Sequence, residues 1–203
     1  MYDFTRLRSI IDGVRAIAGV VHDIATLPQA ERDLAATKLD AVLDEIDKSC
    51  VGLEAQVVRL LTVDLGNQCE ARATLVALEG GAVRAAMADV RGHCTRIDII
   101  YQRHLDSIFQ KLAPQRYGEI QRAFGALQGA DSVMLDIIDK LSAFLAKKAD
   151  EVLDLVDDGD LMAARVTLKL ARKEVLELRL ALSDLRYWLR TAQAGFLLTS
   201  AAL

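Results

Sequence analysis

Apolar residues recur along this chain at the period of a helix, about 3.6 residues, and no segment alternates as a strand does. The cleanest run is at the C-terminal end. Leu161, Leu168, Val175, Leu182, Leu189 and Phe196 stand seven residues apart, with Ala164, Ala171, Leu178, Leu185, Ala192 and Thr199 as a companion row. Six successive heptads predict a helix over about 160–199, packed lengthwise on neighbours with a left-handed twist.

Upstream, Leu7, Val14 and Val21 with Ile10, Ile17 and Ile24 predict a first helix over about 3–26. Thr26-Leu-Pro-Gln29 reads as a capping box with proline in the first turn. A very long helix over about 28–79 follows, carrying Leu39, Ile46, Leu53 and Leu60 beside Leu43, Cys50 and Val57. Its rows lose register at Val63-Asp-Leu-Gly-Asn67, where Asp64 and Asn67 fall on apolar positions, so a kink is expected near Gly66.

Gly80-Gly81 supplies a left-handed stop. The next helix, about 82–112, carries Val83, Val90 and Ile97 in one row, extending to His104, with Met87, Cys94, Tyr101 and Ile108 in the other. Pro114 opens a short helix to about 128, with Tyr117, Ile120, Phe124 and Leu127 on one face. After Gly129-Ala-Asp131-Ser132 a fifth helix reaches about 157, and Asp157-Asp-Gly-Asp160 turns the chain into the last. The expected fold is therefore all-α: an elongated antiparallel bundle of about six helices, two of them very long, with coiled-coil-like heptad packing. It reads as one domain over 1–203, with a hinge near 80–81 or 113–114 as the alternative division.

Composition narrows the class. A net charge of −4 and a pI of 5.4 argue against nonspecific nucleic-acid binding, which needs a dense positive surface. Cys50, Cys69 and Cys94 are odd in number and widely spaced, so they read as reduced thiols of a cytoplasmic protein. Asp3 and Asp12 interrupt any export-signal pattern, and the uncharged tail Thr191–Leu203 is too short to cross a bilayer.

Acids at the end of the fifth helix (Asp150, Glu151, Asp154, Asp157, Asp158, then Asp160) precede bases at the start of the sixth (Arg165, Lys169, Arg172, Lys173). In an antiparallel hairpin these sets are expected to pair. As a calcium loop the stretch fails, since Val156 and Arg165 occupy the third and twelfth ligand positions.

Chemistry is hard to find. Gly19, Val90 and Tyr101 precede His22, His93 and His104 by three residues, so no Glu-x-x-His di-iron motif occurs. Asp89 stands one turn before His93 and is expected to orient its ring as a surface pair, while His104 reads as a core-edge residue and His22 as solvent-facing. The cysteines lack a close Cys-x-x-Cys pair for zinc, and no phosphate-cradling loop or nucleophile elbow is present. No cofactor is expected.

The functional expectation follows from apolar residues in excess of one seam. Leu170, Leu176, Leu180 and Trp188 lie off the rows of the last helix, and with Phe196, Leu197 and Leu198 they form the candidate contact face. The leading reading is a non-catalytic scaffold, adaptor or regulatory subunit that binds a protein partner or itself. The alternative is a membrane-active or lipid-surface-binding bundle that opens to present its amphipathic N-terminal helix, where Arg6, Arg8 and Arg15 would meet anionic headgroups. An enzyme with a dispersed site is the least supported.

Overall fold

The computed structural model describes residues 7–24, 27–112, 114–127 and 132–201, with the side chains of 7–9, 18, 20–23, 112 and 195–201 outside the description. Among the described residues the chain is helical with short turns and holds no strand. The elements are α1 (Leu7–Ile24), α2 (Gln29–Thr62), α3 (Gln68–Glu79), α4 (Gly81–Ile100, continuing through a π turn at Tyr101–Leu105 into Asp106–Leu112), α5 (Tyr117–Leu127), α6 (Val133–Asp157) and α7 (Leu161–Ala201).

Most described members of the heptad rows lie in the core. Leu39, Leu43, Ile46, Cys50, Leu53, Val57 and Leu60 of α2 are fully buried, as are Val175, Leu178, Leu182, Leu185 and Leu189 of α7. These join Ile10, Val14 and Ile17 of α1, Leu75 of α3, Phe124 of α5 and Leu141 of α6 in one connected cluster. α2 packs on α4 and α7, α1 on α5 and α7, and α3 on α6.

Polar contacts along the α2–α7 seam fix its direction. Arg172 donates to the Val63 carbonyl, Arg179 lies 3.7 Å from Glu54, Arg186 donates to Asp47 at 2.8 Å and Gln193 to Asp40 at 3.5 Å. As numbers rise on α7 they fall on α2, so the two helices are antiparallel. The Arg172 contact also places a cation on the C-cap residue of α2, where the helix dipole is negative.

The very long helix expected over 28–79 is two helices. Asp64 accepts the Gly66 N–H at 2.9 Å, and the Asn67 side chain accepts the Glu70 N–H at 3.4 Å as the N-cap of α3. Aspartate and asparagine bond the local backbone here in competition with the helix ladder, which turns the expected kink into a break. Gly80 joins α3 to α4 with φ −101°, not the left-handed stop expected of it. The positive φ among the described residues belongs to Gly159, at +77° in the turn between α6 and α7. There Asp160 caps α7 by accepting the Ala163 N–H at 2.9 Å. Thr26 of the expected capping box, and 129–131 of the expected turn before α6, lie outside the described residues.

In α4 the Asp106 N–H donates to the carbonyl of Tyr101, five residues back. One residue is thereby inserted into the helical period. Val83, Val90 and Ile97 are buried as expected, but Leu105 rather than His104 continues their row. Likewise Phe109 rather than Ile108 follows Met87, Cys94 and Tyr101. The shift brings Phe109 into a cluster with Tyr101 and Phe124, whose rings stack at 4.2 Å between centroids.

Candidate functional site

With its heptad rows turned inward, α7 presents a second apolar stripe to solvent. Met162, Val166, Leu170, Leu176, Leu180 and Tyr187 are all exposed, reaching 81% for Met162, 62% for Leu180 and 66% for Tyr187. At 3.6 residues per turn these six fall within an arc of about 120°, centred opposite the buried rows, and extend for about 38 Å. Single exposed leucines are ordinary; here six large apolar residues share one arc, interleaved with the exposed Lys169, Lys173, Glu177 and Asp184.

Three of the expected contact residues, Leu170, Leu176 and Leu180, stand on this stripe. Trp188 does not share their position. It is half-buried at the flank, packed against the core, with the Arg15 guanidinium 4.3 Å over its ring and Tyr187 edge-on at 5.9 Å. The side chains of Phe196, Leu197 and Leu198 lie outside the described residues. Met162, Val166 and Tyr187 belong to the stripe and were not anticipated; continuing the i, i+4 spacing back from Leu170 through Val166 to Met162 was the available signal.

Charges interleave with the apolar residues on the arc of the stripe, and they are ordered along it. Arg165, Lys169 and Lys173 come first and Glu177 and Asp184 follow, all exposed. The pairing expected between these bases and the acids of the α6–α7 turn does not form. Asp157 pairs instead with Arg72 of α3, Glu151 with Lys147 and Lys148 of its own helix, and Arg172 turns to the Val63 carbonyl. Lys169 and Lys173 lie on the face of α7 opposite its seam, out of line with α6. Among the described residues none of Arg165, Lys169, Lys173, Glu177 and Asp184 has an ion-pair partner.

A polar cluster of a different kind bridges α2 and α4. Glu45 Oε2 stands 2.6 Å from His93 Nδ1 and 2.6 Å from Arg96 Nε, while Lys48 reaches Oε1 at 3.2 Å. His93 is thus oriented across the helix pair by Glu45 and not by Asp89 on its own helix. Its Nδ1 is also 2.5 Å from Arg96 Nη2, so it donates to the carboxylate when protonated and accepts from the guanidinium when not. Burial alone would raise Glu45, but hydrogen bonds from His93, Arg96 and Lys48 outweigh it and hold the carboxyl down to about 2. A carboxylate so firmly ionised is a poor general base near neutrality, and its ring of donors marks it as a structural clamp.

Burial pushes the Cys50 thiol far up and the Cys94 thiol to about 11, so neither offers a thiolate. His104 is half-buried at the π turn, and the His22 side chain lies outside the described residues. Among the described residues no group of three or more His, Cys, Asp and Glu is placed to hold a metal ion. A groove between α1 and α5 is lined by Gly13, Ala16, Ala123 and Ala126, with Asp12, Glu119 and Arg122 at its rim. It lies apart from the Glu45 cluster, which joins other helices.

In the closed bundle Ile10, Val14 and Ile17, on the apolar face of α1, are fully buried, and α1 packs on α5 and α7. Arg15 is engaged by Asp12 and Trp188, and Arg6 and Arg8 lie outside the described side chains. Among the described residues no helix is long and apolar enough to cross a membrane. No family model matches the chain, and no curated protein or solved structure is significantly similar to it.

Proposed function

We propose that this chain is a non-catalytic bundle that works by protein contact, as a scaffold, adaptor or regulatory subunit, through the outward face of α7. The carrying observation is the stripe from Met162 to Tyr187: six large exposed apolar side chains, interleaved with four charged ones, on one face of a helix whose other face is already in the core. Leaving such a surface in water is unfavourable by roughly 25 cal/mol for each Å² that a partner would cover. The internally clamped Glu45–His93–Arg96 cluster and the buried thiols of Cys50 and Cys94 fit a body whose polar and reactive groups serve the fold.

The reading is tested in the source cell with a photo-crosslinking side chain placed at Leu170 or Leu180, and at the exposed Arg84 and Gln121 as controls. Discrete adducts from the α7 positions and none from the controls are expected. Those adducts should vanish when Leu176→Asp is combined with the crosslinker at Leu180, while the thermal midpoint stays unchanged. Absence of any adduct from α7 would remove the reading.

A further inference from the structure

Building on that reading of the face, we propose that its occupant is a second copy of the same chain, lying antiparallel across α7 about a two-fold axis near Leu176. The argument is the order of the charges together with the placement of the apolar residues.

Arg165, Lys169 and Lys173 follow one another at i, i+4, the spacing at which like charges on a helix repel. They occupy the first half of the stripe, and Glu177 and Asp184 occupy the second. None of the five finds an ion-pair partner among the described residues, whereas Arg179 and Arg186, on the flank facing α2, are taken up by Glu54 and Asp47. A parallel copy would set bases on bases. An antiparallel copy sets Lys169 and Lys173 of each helix close to level with Asp184 and Glu177 of the other.

The positions agree with that turn. Reversing α7 end for end about Leu176 carries Lys169 to within one residue of Asp184 and Lys173 to within two of Glu177. It also carries Val166 to within one residue of Tyr187 and Leu170 to within two of Leu180. Val166 and Leu170 therefore come close to level with Tyr187 and Leu180, while opposite charges meet between them. An isologous two-fold interface requires this self-complementarity, in which residue i meets j and j meets i. Both features reside on one unbroken helix, so the two halves of the surface are held in fixed relation.

The experiment uses the full chain with Cys69→Ser, which leaves only the buried Cys50 and Cys94 thiols. Sedimentation velocity up to about 100 µM should show a dimer whose affinity falls as salt is raised. Under oxidation Leu176→Cys should crosslink to itself, and Met162→Cys, held about 40 Å from its own copy, should not. Lys169→Glu with Lys173→Glu should weaken the dimer at least about tenfold, and adding Glu177→Lys with Asp184→Lys should restore it.

A monomer at every concentration overturns the proposal. So does a dimer that crosslinks through Met162→Cys, that fails to crosslink through Leu176→Cys, or that ignores the charge changes. If the self-pairing alone is wrong, crosslinks in the cell from Leu170 and Leu180 will still join this chain to a different protein. If the contact reading is wrong as well, they will join it to nothing.

Discussion

The carbonyl of Tyr101 accepts the N–H of Asp106, and the π turn that this bond closes shifts which side chains beyond it enter the core. Without the extra residue, Ile108 would follow Tyr101 inward; with it, Phe109 is fully buried and Ile108 only partly so. Phe109→Ala should therefore destabilise the protein by about 3–5 kcal/mol, the range for emptying a buried aromatic site, and Ile108→Ala by less than about 1.5 kcal/mol. Urea denaturation of the two variants checks the order. The opposite order would mean that α4 runs without the π turn in solution.

This inserted residue shows where a sequence stops being legible. Rows such as Leu39, Ile46, Leu53 and Leu60, or Leu168, Val175, Leu182 and Leu189, announce themselves because burial imposes the helical period on the residues that meet the core. A π turn leaves no residue type that marks it and shows only as a phase slip. At Asp64, Gly66 and Asn67 the slip was visible, but whether the backbone bends or ends there depends on side-chain caps that form in three dimensions. On α7, Leu170, Leu176 and Leu180 could be assigned to the outer face by exclusion from the rows. Trp188 could not, because only the approach of α1 and Arg15 turns that flank inward. His93 pairs with Glu45, 48 residues away, and no local spacing encodes such a contact.

The Glu45 cluster makes stability depend on acid. The carboxyl is held at about 2 in the fold against 4.5 as its ordinary value, so the folded state binds its proton less readily than the unfolded chain. The contribution is present above pH 4.5 and is lost as pH falls toward 2. Its size is on the order of 2–3 kcal/mol. Glu45→Gln should remove that amount at neutral pH and flatten the acid limb between those limits. Chemical denaturation of both proteins at a series of pH values reads this directly, and parallel acid limbs would show that Glu45 is not held down.

Two glycines on facing helices should respond oppositely to alanine. A Cβ on Gly52 of α2 would stand 2.7 Å from Val90 Cγ2, a stiff and buried side chain of α4. Gly52→Ala gains about 1 kcal/mol of helix propensity but overpacks the contact of α2 with Val90 of α4, a cost of about 1–3 kcal/mol. The net effect should be a loss of about 0–2 kcal/mol. Gly92 lies on the same helix as Val90, and its added Cβ would meet only Arg96 Nη1 at 3.5 Å, an ordinary contact. Gly92→Ala should accordingly raise stability by about 0.5–1 kcal/mol. Thermal midpoints compare the two, and a stabilising Gly52→Ala would mean that α2 and α4 stand further apart than described.

The three thiols offer a reading of how the bundle opens. Cys69 is exposed on α3, whereas Cys50 and Cys94 are buried where α2 meets α4. Iodoacetamide should modify the exposed thiol readily and leave two protected until the α2–α4 pair separates. Protection of that kind measures the free energy of the opening that exposes the sulfur. Cys50 and Cys94 face the same helix pair that Glu45 clamps to His93 and Arg96, so Glu45→Gln should speed their labelling together and leave Cys69 unchanged. Mass spectrometry of the native protein against time gives all three rates. If Cys94 alone accelerates, α4 frays without leaving α2, and the clamp acts on one helix instead of the pair.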